Sequence, residues 1–261
     1  MTESILQNIV EEKRKAVARA KAALPLEELK ARVRKKETRA FAEAIRAGEP
    51  LGLIAEIKQK SPSKGVLRER FDPIAIAQDY QAAGAHALSV LTDEPYFGGR
   101  LEYIREVKQF CELPVLRKDF IIDPYQVYES VAADADAILL IVAILEQDEL
   151  FELHHLALSL GLEVLVEVHS EAELTKALGI HATLIGINHR DLHTFQMNMQ
   201  LAGQLAKHIP DTVTCIAESG IATPADITRM RRAGVHGILV GEAFMIQEDI
   251  QRAVKKLMGW A

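Results

Sequence analysis

Cysteine is scarce in this chain, which contains only Cys111 and Cys215 among its 261 residues. Two isolated cysteines form neither a disulfide framework nor the close ligand spacing of a zinc site, so we expect a reducing compartment. Both lie in apolar sequence, where a buried and inert thiol is a more frequent role than a catalytic nucleophile. We therefore predict no metal centre and no cysteine chemistry.

Long apolar runs are absent as well. No stretch reaches the roughly 18 apolar residues that a membrane-spanning helix needs. Charged residues at 11–15 interrupt the apolar start of the chain before the core of a signal peptide can develop. We therefore expect a cytoplasmic protein with no membrane partner.

The chain also lacks an excess of positive charge. The chain has 37 acidic residues against 31 lysines and arginines, which gives a net charge of −6. Nucleic-acid-binding domains usually carry a basic surface, so we predict no nucleic-acid partner. With 49% hydrophobic and 26% charged residues, the composition is that of an ordinary globular domain.

What the chain does contain is a long alternation of strand-like and helix-like segments. Strand-like runs are predicted at 52–58, 86–92, 114–120, 137–143, 163–168, 184–189, 213–218 and 237–242. Helix-period segments follow them at 73–83, 99–110, 124–133, 146–160, 170–179, 197–207, 224–233 and 248–258. Such alternation produces parallel strands joined by right-handed crossovers. No Gly-x-Gly-x-x-Gly turn supports an open dinucleotide-binding sheet, and the length suits a (β/α)8 barrel, typically about 250 residues.

The first 48 residues read differently, because they contain helix-period sequence and no strand. Ile5, Ile9 and Val17 share helical spacing, and Pro25 is well placed near the start of a second helix. The segment is too short to build a core of its own. We predict a helical N-terminal extension at 1–48 packed on one barrel domain at 49–261.

The first strand-like run carries two opposite charges on one face. Glu56 and Lys58 are two residues apart, so they share a face of the strand, and in a barrel that face would point inward. Charges in such a place are costly unless they are paired or used. Lys60 and Ser61 follow, and a cation with a hydroxyl suits an anion such as phosphate. On this stretch alone, an edge strand with a solvated charged face is the alternative.

Polar residues recur at the carboxyl ends of most predicted strands, where the active sites of such barrels lie. They are Glu56, Lys58, Ser89, Arg117, Lys118, Asp119, Glu167, Asn188, Arg190, Glu218, Ser219, Gly220, Gly241 and Glu242. Lysines and carboxylates placed together indicate acid–base catalysis. Gly220 and Gly241 would let backbone N–H groups approach a phosphate closely. Apolar Phe97, Phe120 and Leu139 would suit a flat ring, so the predicted ligand is phosphorylated and partly aromatic.

Histidines do not enter this predicted site. His154, His155, His169, His181, His193, His208 and His236 fall in or beside helices and loops. We predict that they are solvated and structural. His189, between Asn188 and Arg190, is also predicted to be structural.

Segments in collinear order along the barrel resemble the indole-3-glycerol phosphate synthase family. They are 54–58 with 61–63, 89–93, 96–98, 116–121, 138–142, 165–168, 185–188 with 190–192, 217–220 and 240–242. Glu-x-Lys, Arg-Lys-Asp-Phe and Gly-Ile-Asn together distinguish this family from related phosphate-binding barrels. The helical extension is also similar to that of the family.

The resemblance implies a ring closure that needs no cofactor. 1-(2-Carboxyphenylamino)-1-deoxyribulose 5-phosphate would become indole-3-glycerol phosphate, CO2 and water. Lys118 would be the general acid at the ribulose carbonyl, and Glu56, Lys58 and Glu167 would serve the later acid–base step. Asn188 and Ser219 would orient the substrate. The positions matched to substrate binding are Lys60, Ser61, Ser89, Phe97, Phe120, Leu139, Arg190, Glu218, Gly220, Gly241 and Glu242, of which Lys60, Gly220, Gly241 and Glu242 match the phosphate site.

Two other functions remain open at this point. A phosphoribosylanthranilate isomerase-like enzyme would share the phosphate end but carry a cysteine at the end of the first strand, where this chain has Glu56 and Lys58. A non-catalytic sensor of a phosphorylated ligand would show decayed catalytic positions, and none is seen. We expect a monomer or weak homodimer, in which the apolar stripe of the extension either caps the barrel or forms a dimer seam.

Overall fold

The alternating segments form a closed barrel of eight parallel strands in the computed structural model, which describes residues 5–33, 37–192, 194 and 196–260. The strands are β1 (Gly52–Ile57), β2 (Ala87–Leu91), β3 (Val115–Lys118), β4 (Ala137–Ile141), β5 (Glu163–Val168), β6 (Leu184–Asn188), β7 (Thr214–Glu218) and β8 (Gly237–Val240). Each strand pairs with its sequence neighbours, and β8 pairs with β1 to close the sheet. The predicted (β/α)8 barrel is confirmed.

Helices precede the barrel and connect its strands. They are α1 (Ile5–Ala23), α2 (Leu26–Arg32), α3 (Phe41–Arg46), α4 (Pro73–Ala82), α5 (Glu94–Phe97), α6 (Glu102–Lys108), α7 (Pro124–Ala132), α8 (Gln147–Ser159), α9 (Glu171–Gly179), α10 (Leu201–Leu205), α11 (Pro224–Ala233), α12 (Glu242–Met245) and α13 (Ile250–Met258). Short 3-10 turns occupy Val142–Ile144 and Ala206–His208, and Lys60–Ser61 pairs antiparallel with Gly65–Val66. Among the described helices, none has the length and apolar character to cross a membrane.

Local sequence explains where several helices begin. Asp72, Asp123 and Thr223 each accept backbone N–H groups at the start of a helix, and a proline follows each of them. The helix predicted at 99–110 begins only at Glu102. A separate short helix, α5, precedes it, because the side chain of Asp93 caps that helix and a left-handed glycine ends it.

The two-residue period of the strands decides which side chains reach the barrel interior. Leu53, Ala55 and Ile57 pack outward under the helices, whereas Ile54 packs inside the barrel. Glu56 has the parity of Ile54 and is buried, so it lies on the interior face as predicted. The same alternation directs one side chain of each strand from β2 to β7 into the barrel. These are Ser89, Lys118, Leu139, Glu167, Asn188 and Glu218.

The extension packs on both ends of the barrel. At the carboxyl end of the strands, Leu6 and Ile9 of α1 join the apolar cluster that continues into the barrel interior. At the amino end, Ile45 of α3 packs so closely on Gly52 and Gly237 that a Cβ atom on either glycine would overlap it. The apolar stripe of the extension is thus buried against the barrel of the same chain.

Candidate active site

A cavity of about 520 Å³ opens at the carboxyl end of the barrel. Fifteen of the predicted site residues line it: Glu56, Lys58, Ser61, Phe97, Lys118, Phe120, Leu139, Glu167, Asn188, Arg190, Glu218, Ser219, Gly220, Gly241 and Glu242. They come from β1 and β3 through β7, from loops that follow barrel strands, and from the short helices α5 and α12. This convergence is what a parallel barrel produces when polar residues end its strands.

Of the residues matched to catalysis or substrate binding, two, Lys60 and Ser89, do not line the cavity. Arg117, which has the parity of the outward Val115, does not line it either. Lys60 lies in the short antiparallel ladder after β1, and its ammonium group donates to the carbonyl oxygen of Pro95 at 2.9 Å. Ser89 lies in the middle of β2 and is fully buried, and its hydroxyl group has no hydrogen-bond partner among the residues that the structure describes. A mid-strand position places Ser89 within the barrel rather than at its rim. Neither Lys60 nor Ser89 therefore reaches the cavity as predicted.

Lys118 lies between two carboxylates inside the cavity. Its Nζ atom is 2.7 Å from Oε2 of Glu167 and 2.8 Å from Oε2 of Glu218. Burial opposes the charge on Lys118, but Glu167, Glu218 and Glu56 outweigh burial and hold the pKa of this lysine above its usual range. Lys118 is therefore protonated at neutral pH, as a general acid must be.

Glu56 and Lys58 form a second charged pair in the same cavity. Oε1 of Glu56 is 2.5 Å from Nζ of Lys58, so the inward charges of this stretch are paired. Gly241 makes room for the pair, since a Cβ atom at that position would lie 2.6 Å from Oε1 of Glu56. This glycine, predicted to serve phosphate binding, therefore also has a packing role.

The two carboxylates around Lys118 differ in protonation. Burial would raise the pKa of both. For Glu167, the charges of Lys118 and His169 outweigh burial and hold the pKa below its usual range. For Glu218, burial prevails over Lys118, and repulsion from Glu167 adds to it, which raises the pKa of Glu218 to about 7. The site thus has one anionic carboxylate and one that titrates near neutrality.

One wall of the cavity is apolar. The rings of Phe97 and Phe120 are tilted against each other with centroids 6.1 Å apart. Leu139 extends this wall, and Leu6 and Ile9 of α1 cover it from the extension. These side chains form a slot that suits a flat aromatic ring.

Charged side chains surround the opposite rim. Glu242, the first residue of α12, has Oε1 at 2.6 Å from Nζ of Lys64 and Oε2 at 4.0 Å from an Nη atom of Arg190. The carboxylate of Glu242 therefore holds two cations that line the cavity. Sequence reasoning missed Lys64, because it follows a proline in an irregular turn where no periodicity indicates its direction.

The turn after β7 also contributes to the rim. Ser219 and Gly220 both adopt left-handed backbone conformations, with φ of 66° and 75°. The carbonyl oxygen of Ser219 lies 2.9 Å from Nδ1 of the buried His189. Burial holds the pKa of His189 below its usual range, so the neutral ring donates to that oxygen and stabilises the turn. His189 is structural, as predicted.

Sequence reasoning also missed a buried lysine on the extension. Nζ of Lys13 is 2.8 Å from Asp93 and 2.7 Å from Asp119. These carboxylates follow β2 and β3, so the ion pairs tie α1 to two loops at the rim of the cavity. A signal was present, since Lys13 lies four residues after Ile9 on the apolar stripe of α1.

The prediction that the histidines are solvated is wrong for two of them. His154 is buried on the inner face of α8. The side chain of His169, just after the end of β5, is only 8% exposed and lies between Glu167 and Glu173. His193 lies outside the described residues. Both cysteines are buried and free, and burial raises the pKa of Cys215 to about 12.

Comparisons with known proteins find a family and a relative that match nearly the whole chain. A family model described as indole-3-glycerol phosphate synthase matches residues 6–257. A protein named indole-3-glycerol phosphate synthase from Chromobacterium violaceum is 46% identical over 257 residues, which cover 97% of each chain.

Solved structures share the fold at low identity. A mandelate oxidase mutant with an FMN adduct has a TM-score of 0.61 at 14% identity, covering 90% of this chain and 83% of its own. The native KDPGal structure has a TM-score of 0.57 at 17% identity, covering 82% of this chain and 94% of its own. At these identities the likeness concerns the fold alone.

Proposed function

The chain belongs to the indole-3-glycerol phosphate synthase family, and we propose that the cavity at the carboxyl end of its barrel is where it carries out the family's ring closure. The reaction converts 1-(2-carboxyphenylamino)-1-deoxyribulose 5-phosphate into indole-3-glycerol phosphate, CO2 and water, a step of tryptophan biosynthesis. The observation that carries the assignment is Lys118, a buried ammonium group held between two carboxylates beside an apolar slot.

Ring closure begins with the aromatic part of the substrate in the slot formed by Phe97, Phe120 and Leu139. The ring carbon that bears the carboxylate attacks the ribulose carbonyl carbon. As this bond forms, the carbonyl oxygen becomes an alkoxide and takes a proton from Lys118. Glu167, held anionic beside Lys118, keeps the ammonium group in place before the transfer.

Loss of CO2 follows, and the electrons of the broken bond return to the ring. The hydroxyl group made in the first step then leaves as water, which requires a proton donor at oxygen and a base at the neighbouring carbon. Glu56, Lys58 and Glu167 are the acid–base groups that we propose for this step. They come from different sides of the cavity, so an acid and a base are held apart on rigid elements.

The phosphate of the substrate binds at the charged rim. Lys64 and Arg190 line the cavity there, and both face the carboxylate of Glu242. The left-handed turn at Ser219 and Gly220 places backbone groups of these two residues at the same rim. We assign phosphate binding to Lys64 and Arg190 with this turn, and the orientation of the substrate amine to Asn188. Lys60 donates to a carbonyl oxygen outside the cavity, so we assign it a smaller contribution to phosphate binding.

The buried stripe of α1 supports a monomer. Leu6, Ile9 and Val17 are each less than a tenth exposed within a single chain, so the extension uses its apolar face to cap the barrel rather than to bind a second copy. A single species of the monomer mass in sedimentation analysis is the expected result, and a stable dimer would contradict it.

The function is tested by steady-state turnover of the carboxyphenylamino-deoxyribulose phosphate, followed by indole fluorescence with EDTA and no added cofactor. Product formation is expected. Tight binding of the substrate without turnover would instead support the sensor. Activity lost to EDTA and restored by a metal ion would overturn the cofactor-free reaction.

A further inference from the structure

Two carboxylates contact Lys118 in almost the same way. The distances from Nζ are 2.7 Å to Glu167 and 2.8 Å to Glu218, and both carboxylate side chains are only 2% exposed. One ammonium group cannot neutralise two buried carboxylates, so the site needs either a further cation or a proton. The contacts with Lys118 do not decide which carboxylate would hold that proton.

The surroundings behind the two carboxylates do differ. The second oxygen of Glu167, Oε1, lies 3.4 Å from Nε2 of His169, which is an ion-pair distance. The second oxygen of Glu218 is buried and accepts no hydrogen bond from the described part of the chain. It fits into the space left by Gly186 of β6, where a Cβ atom would lie 2.1 Å from it. Glu167 therefore faces a second group that can carry positive charge, the His169 ring, whereas Glu218 faces backbone and apolar surface.

His169 lies between two carboxylates, which determines its own state. Nδ1 is 3.2 Å from Oε2 of Glu173, and Nε2 faces Glu167. Nε2 makes no hydrogen bond to a described residue, but a ring at ion-pair distance from one carboxylate on each side is stabilised in its doubly protonated, cationic form. The backbone N–H of His169 also donates to Glu173 at 2.8 Å, which holds that carboxylate in place. Burial works against the imidazolium, but the two glutamates raise the pKa of His169 to about 10.

We propose that His169 is a positioning residue that keeps Glu167 anionic, so that the proton shared around Lys118 resides on Glu218. This inference rests on the proposed function and deepens it, because it separates the roles of two otherwise similar carboxylates. Neutral Glu218 can donate a proton to the substrate, whereas anionic Glu167 anchors Lys118 and can accept a proton. His169 does not line the cavity, so it acts only through Glu167.

The charged groups involved come from several elements. Glu167 of β5 and Glu173 of α9 face His169. Lys118 of β3 faces both carboxylates, and Glu56 of β1 contributes repulsion at Glu218. Removing the imidazolium raises the pKa of Glu167 toward that of Glu218, and the two then compete for one proton. The acid limb of the rate profile, which requires an anionic Glu167, therefore moves to higher pH.

The test compares pH profiles of kcat and kcat/KM for the wild type, His169→Gln and His169→Lys. We expect the acid limb of His169→Gln to lie about one pH unit higher, so that kcat falls about tenfold on that limb while KM and the rate at neutral pH change little. Lysine, which restores a cation, should restore most of the wild-type profile. His208→Gln, at an exposed histidine, is the control. An equal loss at every pH, or no rescue by lysine, would overturn the proposal.

A second measurement does not depend on turnover. In protein with 13C-labelled glutamate carboxyl groups, one buried carboxyl resonance should titrate near neutral pH and disappear in Glu218→Gln. In His169→Gln a second buried carboxyl should titrate in the same range. In Glu173→Gln the pKa of that second carboxyl should rise as well, but by less. If the wild type shows the neutral carboxyl at Glu167 instead, the proposal is wrong whether or not the chain turns over the proposed substrate.

Discussion

Lys60 and Lys64 are four positions apart, yet only Lys64 lines the cavity, although it is the more exposed of the two. Lys60 pairs with Val66 in the short ladder after β1, and its ammonium group is bound to the carbonyl oxygen of Pro95. Lys64 lies in the turn of that ladder and reaches Glu242 at the rim. The resemblance pointed to Lys60, but the cavity contains Lys64.

Replacing Lys64 by Met should therefore raise KM about tenfold and leave kcat within about twofold, as expected when uniform binding of a remote phosphate is lost. Steady-state kinetics on the phosphorylated substrate measure both constants. Lys60→Met is the matched control and should change KM less. A larger effect at Lys60 than at Lys64 would return the phosphate assignment to Lys60.

Gly241 offers a second test at single-residue scale. Gly241→Ala places a methyl group 2.6 Å from Oε1 of Glu56, so we expect a loss of about 1–3 kcal/mol in the free energy of unfolding from overpacking, together with reduced kcat. Gly179→Ala, at the end of α9 with open space around it, should instead gain a few tenths of a kcal/mol or more. Urea unfolding distinguishes them, and equal effects at both positions would contradict the packing role of Gly241.

Side-chain parity explains how much of the site could be predicted. Glu56, Lys118, Glu167 and Glu218 lie on regular strands, where the two-residue period fixes the interior face. Ser89 shares that parity, yet depth along the strand, which parity does not encode, places it below the rim. His169 was missed because its importance arises from a contact with Glu173 on a different element.

At the scale of elements, the link between α1 and the barrel is the most testable feature. Lys13→Met leaves Asp93 without its buried cation and removes one of two cations from Asp119. We expect a cost of about 3–5 kcal/mol in the free energy of unfolding, as for other broken buried pairs, and a higher KM because Leu6 and Ile9 lose their support. Denaturant unfolding and kinetics measure these effects.

Lys15→Met is the control for that experiment, since its pairs with Glu11 and Glu12 are exposed and should contribute nothing measurable. If the two variants unfold at the same denaturant concentration, the ion pairs of Lys13 with Asp93 and Asp119 do not contribute to stability. The apolar stripe of α1 was predictable from its period, but the ion pairs were not. Their partners lie in loops after β2 and β3 that only the folded barrel brings beside α1.

At the scale of the whole molecule, Glu218 makes stability depend on pH. Its pKa is about 7 in the folded chain and near 4.5 when unperturbed, so the folded state binds this proton more tightly than the unfolded state. The stabilising contribution is fully present below about pH 4.5 and is lost as the pH rises through 7. Between about pH 5 and 8, the Tm of the wild type should fall relative to that of Glu218→Gln. A difference in Tm that is constant with pH would contradict the raised pKa.

If Lys118 supplies the proton for ring closure, kcat at saturating substrate must differ sharply between the wild type and Lys118→Met. Lys176→Met, at an exposed lysine of α9, controls for the substitution, and circular dichroism confirms that each variant is folded. We expect kcat to fall by about 10²–10⁴ for Lys118→Met, the range for loss of a general acid, and to stay unchanged for Lys176→Met. Turnover by folded Lys118→Met within a few-fold of the wild type would contradict it.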